Sequence, residues 1–156
     1  MTATAFQDQI PGNHCFGCGP GNAGGLQIKS YWQPDGSAIC HFRPSPQHCA
    51  GPAQTLNGGI IATLIDCHGI CTAIADAYRR DGRAIGQGNE IWYATGKLEV
   101  SYRAPAPIDA ELELLARVDE VSDRKTILSC TLSANGARCA EARVVAVRVP
   151  DDWRQR

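Results

Sequence analysis

Asn57-Gly58-Gly59-Ile60-Ile61-Ala62-Thr63-Leu64-Ile65-Asp66-Cys67-His68-Gly69-Ile70-Cys71-Thr72-Ala73-Ile74-Ala75-Asp76-Ala77-Tyr78 holds no proline, and its apolar residues recur at helical spacing. Ile60, Leu64, Cys67, Cys71, Ile74 and Tyr78 form one stripe, which predicts a long helix facing a sheet. Asn57 is a favoured N-cap. A second stripe, Gly58, Ala62, Asp66, Gly69 and Ala73, consists of small residues plus one carboxylate, so another backbone can approach it closely. The charged segment Asp76 to Asp81 closes the helix.

Upstream, Leu26 to Trp32 and Ala38 to Arg43 alternate with the period of strands around the turn Pro34-Asp35-Gly36-Ser37, which predicts a β-hairpin. Pro44, Pro46 and Pro52 make residues 44–56 a loop. Residues 79–96, rich in glycine around Trp92-Tyr93, are read as a second loop with at most a helical turn. Downstream come strand signals at Lys97 to Arg103, Glu111 to Val118, Thr126 to Leu132 and Ala137 to Val149, the last pair joined by the hairpin dipeptide Asn135-Gly136.

The order ββ, long helix, ββββ lacks the crossover helices of a parallel sheet. It predicts an α+β fold in which an antiparallel sheet of five or six strands wraps one long central helix. The 156 residues match one domain of about 150. Residues 1–156 are therefore read as a single domain, with 1–24 as an N-terminal loop segment.

A formal charge of -1 with scattered basic residues argues against nucleic acid as a partner. Arg79-Arg80 and Arg154 to Arg156 read as solvated surface. No signal-like start and no run of about 18 apolar residues is seen, so a cytoplasmic location without membrane contact is expected. The eight cysteines are then expected to stay reduced.

Asp66 is the anomaly, because a carboxylate in an apolar helix is costly to bury unless it is paired or faces a cleft. At the start of the same helix, Asn57-Gly58-Gly59 lets a ligand approach the unpaired N–H groups of the first turn, a setting suited to an oxyanion or carbonyl oxygen. Gly58 and Asp66 are eight residues apart, about 12 Å along the axis at ~1.5 Å per residue, so one carbonyl cannot touch both. A symmetric dimer with two helices antiparallel on their small-residue stripes would bring Gly58 of one chain to Asp66 of the other.

These residues resemble the hot-dog acyl-CoA thioesterases of the phenylacetic-acid-degradation type, a family that includes mammalian thioesterase-superfamily members. Asn57 to Asp66 is similar to that family's His-Gly-Gly helix start with an acid eight residues past the first glycine. His14-Cys15-Phe16-Gly17-Cys18-Gly19 with Gly25-Leu26 looks like the Cys-Phe-Gly-Cys-Gly opening of some members. Ser101-Tyr102-Arg103-Ala104-Pro105 resembles the end of the strand after the helix.

The resemblance implies a hot-dog domain that assembles as a homodimer or dimer of dimers and hydrolyses acyl-CoA without a cofactor. In it Asp66 is nucleophile or general base, the Gly58 N–H polarises the thioester carbonyl, and Asn57 stands where histidine is usual. Gly59 belongs to the same substrate-binding turn. A non-catalytic acyl-CoA or small-molecule binding dimer is the alternative that Asn57 favours. A hydratase is disfavoured, since no Asp-x-x-x-x-His pattern stands at a helix start.

Arg103, Lys97 and Arg83 are candidate anchors for coenzyme A phosphates, and Trp92 and Tyr93 for the acyl pocket. Cys15-x-x-Cys18 beside His14 suggests half a zinc site, with His41, His48, Cys40 and Cys49 as remote candidates, or a redox pair. No second C-x-x-C exists, so a tight turn without metal is expected. Cys67 and Cys71 are read as core filling, and His68 as a satisfied core histidine.

Overall fold

A computed structural model describes residues 2–156. Its long helix, α2 (Gly58–Arg80), begins where Asn57 caps it: the Asn57 side-chain oxygen accepts from the Gly59 and Ile60 N–H groups at 2.8 and 3.2 Å. Two of the four orphan donors of the first turn are thereby satisfied. A four-residue helix, α1 (Phe6–Gln9), lies in the N-terminal segment.

Six strands complete the fold: β1 (Ser30–Trp32), β2 (Ala38–Phe42), β3 (Tyr93–Tyr102), β4 (Leu112–Val121), β5 (Lys125–Ala134) and β6 (Ala137–Arg148). They form one sheet in the order β1-β2-β4-β5-β6-β3, with every neighbouring pair antiparallel. Leu112, Leu114, Ala116, Leu128, Leu132 and Val144 alternate inward and are fully buried against α2, whose Leu64 and Ile65 are equally buried. This is the hot-dog arrangement. α2 is apolar enough by composition to cross a bilayer, yet most of that apolar stretch is buried inside the chain. The sheet accounts for its hydropathy.

The Asn135-Gly136 hairpin forms as expected, with both residues in the left-handed region at φ 52° and 77° and Ala134 paired with Ala137. Three expectations change. Strand β1 starts at Ser30 rather than Leu26, because Gln27 adopts φ 52° and the Leu26 and Ile28 N–H groups bond to Phe16 and Gly17 carbonyls of the N-terminal segment. Strand β3 starts at Tyr93, inside the segment read as a loop. Gly96 misled that reading: it sits at a register shift against β6, where a side chain would collide with Val147.

The third change concerns the small-residue stripe of α2. Gly69 and Ala73 are buried, and a Cβ on Gly69 would already press on Val144 of β6 at 3.1 Å. The C-terminal part of the stripe lets α2 sit close on its own sheet, while Gly58, Ala62 and Asp66 stay half-buried.

Candidate active site

Asp66 lies on the α2 face toward β3, where the Thr95 hydroxyl donates to its Oδ1 at 2.6 Å. It lines a cavity of about 290 Å³ walled largely by apolar groups, including Ile70, Ile74, Trp92 and Trp153. Burial pushes the Asp66 carboxyl above the usual carboxylate range; the Thr95 bond partly offsets this, and the neighbouring Cys18 adds to it. A carboxyl so placed is a stronger base than an exposed one and shares its cavity with room for an apolar ligand.

At the far end of the same face, the Tyr102 hydroxyl donates to the Gly58 carbonyl at 2.7 Å, and its ring lies 3.5 Å from where a Gly58 Cβ would stand. Gly58, Tyr102 and Arg103 line a separate groove. Among the described residues no acceptor takes the Gly58 N–H, since Asn57 spends its oxygen on Gly59 and Ile60. The two halves of the expected site therefore occupy two different concavities in one chain.

The other sequence candidates divide. Trp92 lines the Asp66 cavity, with its indole N–H donating to Glu90 at 3.2 Å, and Tyr93 is buried beside it. Gly59 is exposed at the helix start. Arg103 is paired with Glu141 and Lys97 with Glu99, both on the surface. Arg83 lies beyond the opposite end of α2, where it pairs with Asp81, donates to the Asn89 carbonyl and stacks on Tyr78. Its role is to close the 82–89 loop, and it is too remote from Gly58 to share a ligand with it.

Two wall elements escaped the sequence reading. Arg154, read as solvated surface, stacks 4.7 Å over the Trp92 ring and pairs with Glu90, while its neighbour Trp153 forms part of the cavity wall. The aromatic spacing Trp92 and Trp153 carried no local signal for this contact.

The second element is a group of thiols. The loop Cys15 to Cys18 lies on α2, with Cys15 Sγ 3.6 Å from Cys67 Sγ and Cys18 Sγ 3.7 Å from Cys71 Sγ. The sulfurs of Cys15, Cys18 and Cys67 all fall within 4.8 Å of one another, and among the described residues no other three ligating side chains gather so closely. His41, His48, Cys40 and Cys49 do not join them. The surrounding Cys15, Cys67 and Cys71 thiols, with the Asn13 amide that donates to its sulfur, hold Cys18 well below the usual thiol range. Cys67 and Cys71 are pushed above it.

His68 is a satisfied core residue. Its Nε2 faces the Ala38 carbonyl at 3.2 Å and must donate there, so Nδ1 accepts from the Ser30 hydroxyl at 2.8 Å. Gln7 completes the line, donating to Ser30 Oγ and accepting from the Ser30 N–H, each at 2.8 Å. Complete burial lowers the His68 pKa to about 4.

A thioesterase superfamily protein from Shewanella loihica PV-4 is 38% identical to this chain, with a TM-score of 0.64 over 79% of this chain and 91% of that one. The chain belongs to the thioesterase superfamily. The E. coli PaaI protein from the phenylacetic acid degradation operon, at 16% identity and a TM-score of 0.64 over 80% of this chain and 81% of that one, shares the fold. So does thioesterase superfamily member 2 from Mus musculus, at 18% identity and a TM-score of 0.62 over 80% of this chain and 84% of that one. The acyl-coenzyme A thioesterase THEM4 of Xenopus laevis is 28% identical over 97 residues, 62% of this superfamily member but only 37% of that relative's own length. No family model matches the chain.

Proposed function

We propose that this chain hydrolyses acyl-CoA thioesters in the cytoplasm, with Asp66 as nucleophile or general base and the N-terminus of α2 as the oxyanion site. The observation that carries the reading is the Asp66 carboxyl held by Thr95 in an apolar cavity, in a chain of the thioesterase superfamily. The named activity of the Xenopus laevis relative supports acyl-CoA as the substrate class.

Strand β3 supports a site shared between two chains. It is the outer strand of the sheet, ten residues long, and it runs antiparallel to α2 with Thr95 beside Asp66 and Tyr102 beside Gly58. Its free edge is a natural pairing surface. Antiparallel pairing of two such strands about a two-fold axis near Leu98 and Glu99 sets Thr95 opposite the partner subunit's Tyr102. Asp66 then meets the partner subunit's Gly58, two sites per dimer. In this arrangement the contact runs edge to edge through β3.

In one version, Asp66 removes a proton from water as the water oxygen attacks the thioester carbonyl. The oxyanion forms against the partner subunit's Gly58 N–H, and collapse expels the CoA thiolate. In the other, the carboxylate attacks, giving a mixed anhydride and CoA thiolate, and water then cleaves the anhydride. Either way the products are a free acid and CoA.

The test is CoA release, followed by chromatography because the protein's own thiols react with thiol dyes, over aliphatic and aromatic acyl-CoAs. Asp66→Asn is expected to lower kcat on a good substrate by at least about a hundredfold. Unchanged turnover would remove Asp66 from its role. Binding of acyl-CoA with no release by the unaltered protein would instead establish the non-catalytic dimer that Asn57, spent as a helix cap, makes the second reading.

A further inference from the structure

The four thiols that meet between the N-terminal loop and α2 come from two unrelated stretches of chain. Cys15 and Cys18, with two residues between them, stand on a tight turn closed by the Gly19 N–H donating to the Cys15 carbonyl at 2.8 Å. Cys67 and Cys71 stand one helical turn apart on α2, so their side chains project in the same direction. Cys18 is the common member, 3.7 Å from Cys71, within 4.8 Å of Cys15 and Cys67, and nine-tenths or more buried.

We propose that Cys15, Cys18, Cys67 and Cys71 form a tetrahedral zinc site that pins the N-terminal segment to the central helix. Zinc bound to four thiolates at about 2.3 Å holds its sulfurs about 3.8 Å apart along each edge of the tetrahedron. The Cys15–Cys67 and Cys18–Cys71 separations of 3.6 and 3.7 Å already match two of these edges. To complete the tetrahedron, Cys71 must close toward Cys15 and Cys67.

The loop is shaped to bring sulfur to sulfur. A side chain at Gly17 would collide with the Cys67 sulfur and with Thr63, and one at Gly19 would collide with the backbone of His14 and Cys15. Glycine at both positions lets the loop lie flat on α2. Outside the sulfurs, the Asn13 amide donates to Cys18 Sγ at 3.6 Å, the kind of second hydrogen-bonded layer that orients a thiolate ligand. Cys15 is exposed, which gives an ion a path in.

Four soft sulfur donors without an oxygen or imidazole partner select zinc over magnesium or calcium. All four ligands are protein groups, so the site has no open position and its work is structural. It forms one wall of the Asp66 cavity, next to the carboxylate in sequence, but takes no part in the proposed hydrolysis.

The experiment uses the full chain, purified under reducing, oxygen-free conditions, with metal measured by mass spectrometry. About one zinc per chain is expected, falling below about one tenth in Cys18→Ser. Replacing zinc by cobalt(II) should give the intense visible bands of a tetrahedral thiolate complex, absent from that variant. If Cys18→Ser does not fold, exposed Cys15→Ser serves, with the same expected loss. No stoichiometric metal either as purified or after reconstitution would overturn the site, as would zinc retained in both variants. Cys15–Cys67 or Cys18–Cys71 disulfides in the purified protein, with no metal uptake after reduction, would overturn it in favour of crosslinks.

Discussion

Thr95 and Asp66 are joined across the sheet and helix layers by a 2.6 Å hydrogen bond in which the hydroxyl donates to the carboxyl. The bond favours the ionised acid, whereas burial of Asp66 favours the neutral one. Replacing Thr95 by valine keeps the shape of the site and removes the donor. In the proposed hydrolysis the ionised Asp66 is the active form, so activity is expected to rise as pH passes upward through its pKa. Thr95→Val should move that rising limb to higher pH and lower kcat at neutral pH by about tenfold, the scale of losing an orienting partner. A pH–rate profile with an unmoved acid limb would sever Thr95 from the carboxylate's function.

Gly58 is the first residue of α2, and Asn57 before it has ψ of 133°, the extended conformation that a following proline requires. Gly58→Pro therefore keeps the helix start and deletes one N–H group. A normal melting temperature with turnover reduced by about a hundredfold is expected. Full activity in this variant would exclude the N–H as the oxyanion donor.

Mixing inactive Asp66→Asn chains with inactive Gly58→Pro chains tests whether a site is shared. Random exchange makes half the dimers mixed, each with one intact site, so activity should recover to about a quarter of the unaltered value. No recovery after confirmed exchange would place both groups in one chain's own site.

His68 makes stability depend on pH with a definite sign. Its folded pKa of about 4 lies below its unfolded value, so the unfolded chain binds the proton more readily. The stability tied to the neutral ring is fully present above the ordinary histidine range and is lost as pH falls toward and through about 4. The loss is on the order of 3 kcal/mol. Urea unfolding at neutral and acid pH measures it, and His68→Gln should show a visibly flatter dependence over that window.

Asn57→Ala removes the acceptor for two N–H groups of α2 and should cost about 1 kcal/mol. Chemical denaturation gives the value, and a change within error would mean that water caps the helix equally well.

The helix, its cap and the later strands were legible because each carries a local signal: Asn57 before two glycines, apolar spacing through Tyr78, left-handed Asn135-Gly136. Asp66 stood out for the same reason, as a charge in an apolar run. The early start of β3 was hidden by Gly96, whose absent side chain serves contact with β6 rather than a turn. The small-residue stripe named a close approach but not its partner, and at Gly69 that partner is Val144 of the same chain. The thiol group was illegible because two pairs some fifty residues apart carry different spacings, and the helical pair does not look like a second C-x-x-C.

Gln7, Ser30, His68 and Ala38 also act as a gauge of alignment. The ring touches β1 through the Ser30 hydroxyl and β2 through the Ala38 carbonyl, while Ser30 pairs with Cys40 and Trp32 with Ala38 across the two strands. Sliding β1 by one residue would put the Tyr31 side chain where only a small hydroxyl fits and leave an imidazole nitrogen buried without a donor. The three-residue strand is also held by Trp32 against Phe6 and Arg79, and the histidine adds the polar contact that fixes which residue faces the helix.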